Sequence, residues 1–128
     1  MMKLFPIAAG GALGAMLRYW MSGFVHRFFS STFPWGTLSV NLIGSLVIGF
    51  VWGISEAVII PQTVRLFILI GILGAFTTFS TFSLENFTLL RDGEYWLVIT
   101  NVSVSVLGGI LLVFGGYLVS RLLIGGLK

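Results

Sequence analysis

The chain has 128 residues, of which 57% are hydrophobic and only 9% charged, a composition that excludes a soluble globular domain and fits an integral membrane protein. Seven Lys and Arg against four acids give a net charge of +3, but the basic residues are scattered, so nucleic acid is excluded as a partner. Cysteine is absent, which removes disulfides and thiolate metal sites. Four spans of about 20 residues would take up roughly 80 positions, and the short remainder leaves no separate soluble domain. Residues 1–128 thus read as one all-α, four-span domain whose solvent is the lipid bilayer. The segment from Met1 to Ala15 has the form of a signal peptide, with Lys3 ahead of an apolar run, but its cleavage would leave no soluble protein to secrete.

The first span is expected at about 4–24. Gly10 and Gly14 form a small-xxx-small pair suited to close helix packing. Arg18, about two turns inside the end of the span, either snorkels to the headgroups or meets a partner or water within the protein. Phe28, Phe29 and Phe33, flanked by Trp20 and Trp35, read as an interfacial aromatic belt, and His26 as an interfacial residue within it. The second span, about 35–60, starts after Pro34 and stops at Pro61. Asn41 and Ser45 lie one turn apart and present polar groups on one face; they serve either a site or helix association.

The third span, about 64–90, contains Gly-Ile-Leu-Gly-Ala-Phe-Thr-Thr-Phe-Ser-Thr-Phe-Ser-Leu-Glu at 71–85. Gly71 and Gly74 weaken the helix there, and five hydroxyls can bond freed backbone groups, so this helix is expected to break near its middle. Inside a bilayer a break survives only when buried in protein or lining a watery path, which makes it a site. Phe76, Phe79 and Phe82 recur every three residues among those hydroxyls, and Glu85 is the one acid well inside a span. In the fourth span, about 95–124, Asn101 and Ser105 form a polar track followed by Gly108 and Gly109, as either a pore wall or a tight helix contact.

Antiparallel spans put Arg18, Asn41, Glu85 and Asn101 at one depth, about 10 Å from the face bearing the first and third loops. An Arg18–Glu85 pair, or one vestibule holding both, follows as an expectation. Lys3, Arg65, Arg121 and Lys128 mark one side of the membrane; Arg18, Arg27 and Arg91 mark the other. So weak a bias fixes no single orientation, and the chain is expected to insert both ways and pair as an inverted, dual-topology homodimer.

The stretches Gly-Gly-Ala-Leu-Gly-Ala-Met-Leu-Arg-Tyr at 10–19, Trp-Gly-Thr-Leu-Ser-Val-Asn-Leu-Ile-Gly at 35–44 and Gly-Ala-Phe-Thr-Thr-Phe-Ser-Thr-Phe-Ser-Leu-Glu at 74–85 resemble the Fluc (CrcB) family of microbial fluoride channels. The resemblance covers nearly the whole chain. It implies a passive, fluoride-selective channel of the bacterial inner membrane, built as an antiparallel dimer with two pores and a central sodium ion, and no enzyme. By position it implies that Asn41 is a pore asparagine, that Phe79 and Phe82 turn ring edges to fluoride, and that Gly74 and Thr77 hold sodium through backbone carbonyls. Arg18 and Glu85 match charged positions of the family. Fluoride is small and strongly hydrated, so hydroxyls at Ser80, Thr81 and Ser105, with Asn101 beside them, are expected to complete the path. The competing expectation is a small proton-coupled multidrug-type exporter, in which Glu85 alone would carry the coupling.

Overall fold

The computed structural model describes residues 3–29 and 31–125; Lys128, counted above among the flanking charges, lies outside them. Four long helical runs follow one another: Leu4–Phe28, Trp35–Ala57, a third in two halves at 62–76 and Phe79–Arg91, and Tyr95–Gly125. Leu66–Leu73 and Val104–Gly108 are wound as π-helix within the third and fourth. The second, third and fourth are long and apolar enough to cross a membrane. The first, with 25 residues, extends about 37 Å at 1.5 Å per residue and so has the length, but Arg18, its glycines and its interfacial aromatics make it less apolar.

The boundaries have local causes. Proline stands immediately before the second helix and before the third, at Pro34 and Pro61, where a missing N–H removes no intrahelical bond. The second helix ends at Ala57, three residues short of the expected 60, because Val58 is already extended. The first runs on to Phe28, past the expected 24. Between third and fourth, Gly93 takes φ +81, a left-handed position that closes the turn while the Glu94 amide donates to the Leu89 carbonyl at 2.9 Å.

Packing rests on glycine. Lipid is as apolar as leucine and gives helices little hydrophobic reason to associate, so close backbone approach must supply the contact. A Cβ on Gly10 would meet the Phe67 carbonyl and one on Gly14 the Ile72 carbonyl, which seats the first helix on the first half of the third. Likewise Gly49 lies against the Val113 carbonyl and Gly116 against the Leu46 carbonyl, a reciprocal contact between second and fourth helices. Gly109 is buried near Ser45, so the expected glycine track of the fourth helix is at this point a helix contact. At the far end of the same seam, Glu56 accepts from Tyr117 Oη at 2.9 Å and from Trp52 Nε1 at 3.1 Å, with the Arg65 guanidinium 6.0 Å from the Trp52 ring centre. Phe33, expected in the aromatic belt, is instead buried against Trp35.

Gly14→Val should therefore lose about 1–3 kcal/mol through overpacking against backbone that has no rotamer to yield. Gly11→Ala, which meets nothing within 4 Å and replaces a poor helix former, should leave the unfolding temperature in detergent unchanged or raise it. Equal losses in both variants would contradict the packing described.

Candidate functional site

The third helix stops at Phe76 and resumes at Phe79. Between them Thr77 has ψ 157 and Thr78 has φ −149 and ψ 125, so two residues are extended in the middle of a span. In an unbroken helix the Thr78 amide would donate to the Gly74 carbonyl. Here it donates to Asn41 Oδ1 at 2.8 Å, and Asn41 Nδ2 returns a bond to the Thr78 carbonyl at 3.0 Å. One carboxamide thus satisfies both polar groups of the extended residue, as an edge strand would. The hydroxyls do the rest: Thr77 Oγ1 donates to the Leu73 carbonyl at 2.9 Å, and Thr78 Oγ1 caps the second half by accepting from the Thr81 amide at 3.3 Å. Gly44, one turn beyond Asn41, has no room for a Cβ against Thr77, so the second helix comes within reach of the break only because that position is glycine.

Cavities open on both sides of this peptide. One of about 360 Å³ is lined by Asn41, Ser45, Thr78, Phe79, Phe82 and Ser105, among others. The second, of about 500 Å³, is lined by Arg18, Ser22, His26, Thr37, Thr78 and Thr81 among others. Thr78 belongs to both, so the extended residue is the partition between them. A third cavity of about 370 Å³ contains Glu85 and shares Ser22, His26 and Thr37 with the second.

These positions divide the expected site residues. Asn41, Phe79, Phe82 and Ser105 come together around one cavity, with the two rings 5.8 Å apart and Phe79 80% exposed in the single chain. Thr81 lines the Arg18 side, its Oγ1 accepting from Thr78 Oγ1 at 3.1 Å. Ser80 is exposed and near Thr78 Oγ1, away from either lining. Asn101 is 1% exposed and absent from the cavity lining, because its amide is bonded to Asn86; the fourth-helix wall is Ser105 and Val106. Gly74 is exposed and its carbonyl lacks its intrahelical partner.

Arg18 and Glu85 do not pair. The one ion pair among the described residues is Arg91–Asp92, and Glu85 Oε1 accepts from Thr37 Oγ1 at 2.6 Å while Oε2 is buried without a partner. Arg18 and Glu85 line separate cavities, which share Ser22, His26 and Thr37. His26, taken from the sequence as merely interfacial, lines both of those cavities. Asn86, unmarked in the sequence reading, is the second buried amide of this region; its place four residues after Phe82 on the same helical face was the available signal.

A short, all-helical membrane chain with its third span interrupted, the interruption bonded by side chains and flanked by polar-lined cavities, has the construction of a small ion-conducting or transporting protein. Residues 5–117 match the family described as CrcB-like protein, Camphor Resistance (CrcB). The chain belongs to that family. Among its relatives, the protein named fluoride-specific ion channel FluC from Citrifermentans bemidjiense is 48% identical over 96% of this chain and all of its own length. The protein of the same name from Parabacteroides distasonis is 41% identical over the full length of both chains.

If Asn41 holds the break, Asn41→Leu should leave the Thr78 amide unbonded, and its hydrogen exchange in detergent should accelerate at least tenfold while amides in the Gly49–Val113 seam keep their protection. Unchanged exchange at Thr78 would contradict the clamp.

Proposed function

We infer that this protein is a fluoride-selective ion channel and no enzyme. The observation that carries this is the cavity at the broken third span, with Asn41, Phe79, Phe82 and Ser105 around it, in a chain 41–48% identical to proteins named for fluoride conduction. Fluoride gives up its water only for close donors. Asn41 spends one amide proton on Thr78 and keeps the other, and the positive edges of the Phe79 and Phe82 rings can face an anion without trapping it as a buried cation would. Weak, successive contacts let the ion leave as well as enter. Arg18 in the adjoining vestibule supplies the attraction that gathers anions toward the path. Flow is passive, down the gradient out of the cytoplasm across a bacterial inner membrane. The multidrug-type alternative is not favoured, since the relatives described above are named fluoride-specific ion channels and Glu85 is bonded to Thr37.

The working unit is an antiparallel homodimer. Phe79 at 80% exposure and the exposed Gly74 support this reading, for both belong to the broken segment and a second copy would cover them. A central sodium ion fits the same place: the carbonyl freed at Gly74 and the one at Thr77, where the chain is extended, are hard oxygen donors, and a facing copy doubles them into a cage. Its fixed positive charge favours anions nearby.

Liposomes holding only this protein should release fluoride and retain chloride. Asn41→Asp, which sets an oxygen against the Thr78 carbonyl, and Phe79→Ile, which removes a ring edge, should each cut fluoride efflux at least tenfold. No fluoride release from the unaltered protein would overturn the channel. A C-terminal tag digestible from one side only would overturn the dual topology.

A further inference from the structure

Two buried amides tie the walls of the Asn41 cavity together from behind. Ser105 Oγ donates to Asn101 Oδ1 at 3.4 Å, Asn101 Nδ2 donates to Asn86 Oδ1 at 3.2 Å, and Asn86 Nδ2 donates to the Phe82 carbonyl at 2.7 Å. Phe82 and Ser105 line the cavity; Asn86 and Asn101, 7% and 1% exposed, do not. The chain of donors therefore runs in one direction from the fourth-helix wall to the wall formed by the second half of the third helix. Each amide is committed at both ends, and neither is free to turn toward an ion.

We propose that Asn86 is a positioning residue of the conduction path, acting through Asn101 to fix the spacing between the Phe82 and Ser105 walls and the direction of the Ser105 hydroxyl. With its proton on Asn101, Ser105 offers the cavity an oxygen lone pair. Serving as a donor to an anion requires the hydroxyl to rotate, and the 3.4 Å bond it gives up is the longest of the three, hence the weakest. Ser105 is thus a donor that can be lent and returned, and it has this property because Asn86 holds the Asn101 carboxamide with its oxygen toward Ser105. Were Asn86 absent, the Asn101 amide would be free to flip and the serine hydroxyl would fall back on its own helix, on the carbonyl four residues earlier.

The proposal rests on the reading of this cavity as the fluoride path, and its test separates the two. Asn86→Leu leaves a buried donor of Asn101 unbonded and should lower both the unfolding temperature and fluoride efflux. The double variant Asn86→Leu with Asn101→Leu replaces both partners by apolar groups, so its unfolding temperature should return toward that of the unaltered protein. Its fluoride efflux from liposomes should stay at least fivefold low, and Ser105→Ala added to it should change nothing further. Recovery of efflux along with stability would assign the pair a merely structural role and overturn the proposal. So would full efflux in Asn86→Leu alone, with Asn41→Asp still inactive, which leaves the path intact. Should Asn86→Leu fail to fold, the double variant by itself decides between these outcomes. Fluoride efflux that ignores Asn41→Asp and Phe79→Ile removes the path and the proposal together.

Discussion

The two hydrogen bonds between the Asn41 carboxamide and the backbone of Thr78 are the constraint from which the site follows. An extended residue in the middle of a span exposes an amide and a carbonyl to a medium that can bond neither, at a cost of several kcal/mol for each group left unmet. Asn is the side chain that answers both at once, with a donor and an acceptor spaced as in a peptide group. Once the break is held, its consequences are geometric. The Gly74 carbonyl loses its partner, Phe79 and Phe82 begin a new helix with their rings at a cavity, and Thr78 becomes the partition between that cavity and the Arg18 vestibule.

The clamp in turn depends on how closely the helices lie. Asn41 reaches Thr78 because Gly44 admits Thr77, and the first half of the third helix is in place because Gly10 and Gly14 admit its backbone. Glycine is poor helix-forming material, about 1 kcal/mol worse than alanine per position, yet here contact between backbones is what a bilayer leaves available for packing. The same chain of dependence explains why the protein keeps large apolar side chains outward. Lipid is the solvent for most of them, and among the described residues the interior is given to glycine, to a small apolar set (Phe33, Leu38, Val40, Leu73, Phe76 and Leu89), and to a few polar groups that are bonded, apart from Glu85 Oε2.

Much of this was legible in the residues. Four hydrophobic stretches fixed the helix count, glycine pairs at four-residue spacing marked the first-helix contact, and the hydroxyl-rich segment located the break at its actual place. What escaped was of one kind: which polar group bonds which. Residue counting puts Arg18 and Glu85 at one depth, but depth along an axis says nothing of the angle around it, and the Glu85 carboxylate is bonded to Thr37. Asn101 has the spacing of a wall residue, but its partner is Asn86, one position after a glutamate that carries the more evident charge. His26 read as merely interfacial because residues that line cavities with it, Thr37 and Glu85 among them, belong to other helices.

The central claim is that fluoride passes the clamped break, touching Asn41 and the edges of Phe79 and Phe82. Side-chain amide and ring resonances, observed by solid-state NMR in bilayers while fluoride is added, test this directly. The account predicts that Asn41 Nδ2–H and the Phe79 and Phe82 ring protons shift with fluoride and not with chloride, while Asn86 Nδ2–H, committed behind the wall, keeps its position. Shifts confined to residues outside this cavity, or equal shifts with chloride, would contradict it.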